Sequence, residues 1–176
     1  MKYIPLILSI TRIILALPIV LLLIAEKPIA ALTLFAIAGI TDALDGYLAR
    51  KLNAETALGQ ILDPIGDRVL YGSAFITAIF LYELPLSAAL LILSRDIAAT
   101  VWGVIGIAFL HEKNLKRFPP LLLGRVTTFL QTLTFIVIIL PFTNLTEPLI
   151  IGTIIISLTS GIEYTVRFIR SLIQKK

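Results

Sequence analysis

Six long apolar stretches dominate the chain, at about 4–24, 28–48, 56–82, 85–110, 121–141 and 147–169, and polar residues collect in the intervals between them. Each stretch holds roughly 20 residues, which is what a helix needs to cross the hydrocarbon core of a bilayer. The intervals are short: Glu26-Lys27, residues 50–55, Glu83-Leu84 and residues 142–146, with only 111–120 being long. Pro28, Pro85 and Pro148 stand near expected helix starts, where a missing amide hydrogen costs nothing. No internal repeat is visible. The pattern predicts an all-α integral membrane protein of six transmembrane helices, forming one membrane-embedded domain over residues 1–176.

Composition supports that reading. Of 176 residues, 58% are hydrophobic and 15% charged, and the mean hydropathy is +0.99, more apolar than a water-soluble domain of this length. The first stretch carries Arg12 inside its apolar run and has no convincing small-x-small cleavage site before Glu26. It is therefore expected to be a retained helix and not a secretory signal. The chain has no cysteine, so disulfides, thiolate nucleophiles and zinc-thiolate sites are excluded.

Charge sets the expected orientation. With six spans, Lys2, Arg50, Lys51, Arg68, the 113–117 cluster, Arg125, Arg167, Arg170 and the terminal lysines fall on one side, and Lys27 alone among lysines and arginines on the other. Basic loops stay in the cytoplasm, so both termini and the cluster of aspartates between residues 42 and 67 are expected to face it. The net charge of +4 then reflects topology and attraction to anionic membrane lipids, not a nucleic-acid partner.

The candidate chemistry lies in one short stretch. Asp42 and Asp45 are three apart, and Gly59, Asp63 and Asp67 follow at intervals of four. On helices, each set falls on one side. Carboxylates near lipid are costly and are functional candidates. Oxygen ligands with no histidine or cysteine nearby suit Mg²⁺, Mn²⁺ or Ca²⁺ and not zinc. Arg12, Arg95 and Arg125 are the cations expected to line the same cavity, which would suit a phosphate-rich substrate. Arg95 and Asp96 are adjacent on a helix, so a mutual salt bridge is not required. The small residues Gly46, Ala49 and Gly59 would let a ligand approach the helices closely.

The run Asp42-x2-Asp45-Gly46-x2-Ala49-Arg50-x8-Gly59-x3-Asp63-x3-Asp67 resembles the defining motif of the CDP-alcohol phosphotransferase family, with all eight fixed positions present. The six-helix layout is similar too. The first-helix run 5–12 resembles a family stretch reading Pro-Asn-x-Leu-Thr-x-x-Arg; Ser9 and Arg12 fit it, while Leu6 replaces the asparagine. The resemblance implies transfer of a substituted phosphate from a CDP-linked lipid to an alcohol, releasing CMP. It implies two divalent cations, Mg²⁺ or Mn²⁺, held by Asp42, Asp45, Asp63 and Asp67, with Asp67 also the general base. Gly46, Ala49, Arg50 and Gly59, with Ser9 and Arg12, would bind the CDP-lipid. A homodimer in a bacterial plasma membrane is expected.

Within the family the chain resembles the branch of phosphatidylglycerophosphate synthases and CMP-forming cardiolipin synthases. The former carry Ala-Arg-Glu with a second arginine seven residues beyond the first, and a Gly-Lys-x-Lys-Thr run. Here these read Ser94-Arg95-Asp96 with Trp102 at the second arginine, and Gly124-Arg125-Val126-Thr127-Thr128. With Arg95 and Arg125 as acceptor-binding cations, phosphatidylglycerol is favoured over glycerol 3-phosphate. The rival class, a small cation-coupled transporter, would call for acids at the membrane midplane and an inverted repeat; neither is visible.

Overall fold

A computed structural model describes residues 4–52, 57–109, 122–140 and 143–173, with the side chains of residues 10–40, 65–105, 123–140 and 144–170. The described residues are helical, with no strand among them. The chain forms two compact units, residues 1–83 and 84–176.

The first unit contains α1 (Ile4–Ile24), α2 (Pro28–Leu52) and α3 (Ala57–Leu81), with α1 packed against both others. Ala16, Ala31, Ala38, Ala74 and Ala78 are buried, which brings the helix backbones together around Ile19, Leu23, Phe35 and Phe75. Phe35 of α2 meets Tyr71 of α3 edge to face, with centroids 5.5 Å apart. The outer face of α1 is a stripe of Ile10, Ile14, Leu17, Leu21 and Ile24, all exposed and spaced by three or four. The end of α1 is closed by a Schellman motif: Lys27 N–H bonds Leu22 O at 2.9 Å and Glu26 N–H bonds Leu23 O at 3.1 Å. Glu26 takes φ 56° to make this turn, and Pro28 then starts α2 as its position predicts. α2 runs to Leu52, so Arg50 and Lys51, expected in a loop, are helical.

The second unit contains α4 (Leu86–Ile92), α5 (Ser94–Phe109), α6 (Leu122–Ile139) and α7 (Thr143–Ile173). α7 is its hub and packs on the other three. Pro148 lies inside α7 and not at its start. The hub face of α7 is polar and small: Thr153, Ser157, Ser160 and Gly161 are buried, whereas Ile151, Ile155, Leu158, Ile162, Val166 and Ile169 are exposed. Thr153 and Thr134 share a 2.6 Å hydroxyl contact. Trp102 stacks on Phe168, centroids 4.9 Å apart, and donates its indole N–H to Thr165 Oγ1 at 3.0 Å. That is a packing position, as expected of it.

The fourth apolar stretch, expected as one helix, is two. α4 and α5 meet at a bend of 59° centred on Leu93, at φ −86° and ψ 2°. No proline or glycine stands there. The cause is insertion of side chains into the helical hydrogen-bond ladder. Ile92 O accepts from Ser157 Oγ at 2.6 Å and from Gln131 Nε2 at 3.0 Å, and Arg95 N–H turns to Ser157 Oγ at 3.3 Å. Among the described residues, Asn144–Arg170 is the one helix long and apolar enough to cross a membrane, and the bent α4–α5 pair passes as a broken span. Shorter apolar helical stretches lie at Ile10–Ile24, Pro28–Ile40 and Leu123–Ile139.

Candidate active site

In the first unit the backbone is helical at every fixed position of the aspartate motif. Asp42, Asp45, Gly46, Ala49 and Arg50 are on α2, and Gly59, Asp63 and Asp67 on α3. Each carboxylate pair therefore sits within about one helical turn. The side chains of Asp42, Asp45, Ala49, Arg50 and Asp63, and of Ser9 on α1, lie outside the described residues, as do Gly46 and Gly59 beyond their helical backbone. Among the described residues no cluster of three metal-ligating side chains occurs.

Asp67 is described, and Arg12 is one of its partners. Arg12 Nη1 donates to Asp67 Oδ1 in an ion pair across α1 and α3. The arginine side chain is 3% exposed and the aspartate side chain 43%. The cation thus sits beneath its carboxylate, which still reaches the surface. Arg12 was expected at the CDP-lipid, and here its described partner is the candidate base. A buried cation in this place holds one carboxylate rotamer, as outer-shell partners do for metal ligands.

In the second unit the helix break presents Arg95 on the first turn of α5. Its Nη1 donates to Thr128 Oγ1 on α6 at 3.2 Å, and Asp96 Oδ1 lies 3.5 Å from the same nitrogen. The adjacent pair does interact, at a separation too long for a good hydrogen bond. Asp96 Oδ2 is engaged elsewhere, accepting from Gln131 Nε2 at 2.7 Å. Guanidinium carries five N–H donors; among the described residues Arg95 uses one on Thr128, and its side chain is 26% exposed. A guanidinium can bind an anion in a forked geometry. Arg125 follows Gly124 on α6 and is exposed, with no hydrogen bond or ion pair to a described residue. Arg95 and Arg125 are thus not joined in one contact set.

Gln131, Ser157, Thr128 and Gly124 were not singled out as functional from sequence. Gln131 and Ser157 did carry a signal: each is a polar residue deep in an apolar stretch, where an unsatisfied group is costly.

A family model described as CDP-alcohol phosphatidyltransferase matches residues 2–162, spanning both units. The chain is 31% identical over 173 residues to a CDP-diacylglycerol–glycerol-3-phosphate 3-phosphatidyltransferase of Aquifex aeolicus, covering 93% of this chain and 94% of that one. It is 31% identical over 151 residues to a "Probable phosphatidylglycerophosphate synthase" of Mycobacterium tuberculosis, covering 82% and 68%. It is 42% identical over 95 residues to a CMP-forming cardiolipin synthase of Rattus norvegicus, covering 53% and 32%.

Proposed function

The chain belongs to the CDP-alcohol phosphatidyltransferase family, and from that footing we propose that it moves a phosphatidyl group from CDP-diacylglycerol to phosphatidylglycerol, forming cardiolipin and CMP. It is a transferase of phospholipid synthesis. The observation that carries the chemistry is the helical placement of all eight motif positions on α2 and α3, with Asp67 tied to a buried arginine.

Asp42, Asp45, Asp63 and Asp67 would hold two divalent cations, Mg²⁺ or Mn²⁺, which when bound neutralise the diphosphate of the donor. Asp67 takes the proton from the acceptor hydroxyl; the acceptor oxygen bonds to the lipid-side phosphorus as the bond to CMP breaks. Gly46, Ala49, Arg50 and Gly59, with Ser9, flank the donor nucleotide. Arg12 orients Asp67 from below. Arg95 and Arg125 hold the acceptor.

The choice of acceptor rests on charge. Glycerol 3-phosphate brings a monoester with up to two negative charges, which calls for more than one free cation. Arg95 is part-neutralised by Asp96 at 3.5 Å, and position 102, where a second arginine would stand, is an aromatic packing position against Phe168. A diester with one charge suits this reduced set. Glycerol 3-phosphate is the second reading, favoured by the near full-length match to the Aquifex aeolicus protein.

We read the molecule as one catalytic domain with six membrane spans and both termini cytoplasmic. It would act as a homodimer in a bacterial plasma membrane, with its site facing the cytoplasm. The exposed apolar stripes of α1 and α7, the latter set against a polar inward face, support hydrocarbon as the surrounding solvent. The test is CMP release from CDP-diacylglycerol and Mg²⁺ in reconstituted bilayers, with the two acceptors offered separately. Release driven by phosphatidylglycerol is expected; release with glycerol 3-phosphate alone would overturn the acceptor assignment.

A further inference from the structure

The guanidinium of Arg95 occupies space that only a residue without a side chain can leave open. A Cβ built on Gly124 would lie 2.9 Å from Arg95 Nη2, 3.4 Å from Cζ and 3.5 Å from Nε. Three guanidinium atoms converge on one point, so the group rests against the α6 backbone at that glycine. One turn on, Thr128 receives Arg95 Nη1 at 3.2 Å. The hydroxyl proton of Thr128 goes to Gly124 O at 3.1 Å, which leaves its lone pairs for the arginine. Asp96, the neighbouring carboxylate, is drawn to Gln131 at 2.7 Å. Gly124 is buried and its backbone is helical, so no turn geometry requires a glycine there. A glycine inside a helix is less favourable than alanine, and the close approach of Arg95 is the compensating contact.

We propose that Gly124 and Thr128 are positioning residues that fix Arg95 for the acceptor phosphate: the missing Cβ seats the guanidinium and the hydroxyl sets its rotation. This rests on the reading of Arg95 as an acceptor-binding cation. Gly124→Ala pushes the guanidinium off its seat while leaving its charge in place. The obstructing atom belongs to the end of a flexible side chain, so the helix itself need not move. A misplacement of about 1 Å in a binding group can cost up to about 100-fold in rate, and we expect the KM for acceptor to rise about tenfold. The KM for CDP-diacylglycerol should stay within about twofold, since the residues assigned to the donor are on other helices, α1 to α3.

The experiment is a double-mutant cycle on the reconstituted full chain. CMP release is measured against acceptor concentration for Arg95→Ala, Gly124→Ala and both together, using whichever of phosphatidylglycerol and glycerol 3-phosphate drives release in the unaltered protein. Thr128→Val removes the hydroxyl without adding bulk and carries the test if Gly124→Ala does not fold. The inference expects each single variant to raise acceptor KM, and the double variant to match Arg95→Ala alone, because a seat has no effect without its occupant. If Arg95→Ala raises acceptor KM but Gly124→Ala and Thr128→Val do not, or if their effects multiply with it, the positioning role is overturned and the Arg95 reading stands. If Arg95→Ala leaves acceptor KM unchanged, the Arg95 reading falls and this inference with it.

Discussion

The break between α4 and α5 is held by two side chains on two other helices, and this makes a quantitative prediction. Ile92 O accepts from Ser157 Oγ at 2.6 Å and Gln131 Nε2 at 3.0 Å, and Ile92, Gln131 and Ser157 are all buried. Ser157→Ala leaves Ile92 O with Gln131; Gln131→Leu leaves it with Ser157. Interhelical hydrogen bonds in membrane proteins average about 0.6 kcal/mol and reach about 1.7 kcal/mol, so Ser157→Ala should cost about 1 kcal/mol. Gln131→Leu also loses a bond to a carboxylate, and bonds to charged groups contribute about 1.5–3 kcal/mol in soluble proteins. It should cost about 2 kcal/mol. The double variant strips Ile92 O of both side-chain donors, and an unsatisfied buried carbonyl adds about 1–3 kcal/mol. The loss should therefore exceed the sum of the singles by about 1 kcal/mol or more. Equilibrium unfolding in mixed micelles, followed by circular dichroism across the four proteins, measures this coupling. Additivity to within about 0.5 kcal/mol, the range for independent sites, would refute the idea that the two side chains share one backbone acceptor.

Two further outcomes follow from the first unit. Asp67→Asn should abolish CMP release while CDP-diacylglycerol still binds, measured by single-turnover chemistry beside a binding titration; near-normal turnover would remove Asp67 as the base. Arg12→Met should lower turnover about 10–100-fold, the range for partners that orient a ligating group, and Arg12→Lys should recover part of it by restoring the charge. Equal activity in all three proteins would show that the Arg12–Asp67 pair has no part in catalysis.

Much of the candidate site is legible in the chain because its signals are local. Asp42, Asp45, Gly59, Asp63 and Asp67 carry helical spacing in their numbers alone, and the observed helices run through all of them. Pro28 marks a helix start by fixing φ and lacking a donor. Pro148 misled: the same residue is tolerated six positions into α7. The extension of α2 past Arg50 was hidden because charged Arg50 and Lys51 are good helix formers as well as loop residues.

Other features depend on residues far apart in sequence. Ser94-Arg95-Asp96 holds a weak helix-start signal, a serine followed by an acid in the first turn. Nothing local in the run 89–97 demands a break, because it has no proline or glycine. The bend exists because Ser157, 65 positions away, and Gln131, 39 away, reach the same carbonyl. Likewise, composition marks Arg12 as a costly buried charge, but its partner Asp67 lies 55 residues on. Gly124 looks like any small residue in an apolar helix until Arg95 is seen against it. Most of the helical stretches and the acidic motif can be read from the chain alone, since they follow from periodicity and transfer free energy. Tertiary structure decided which polar groups satisfy one another, because in a water-poor interior each must find a partner, and that depends on which helices meet.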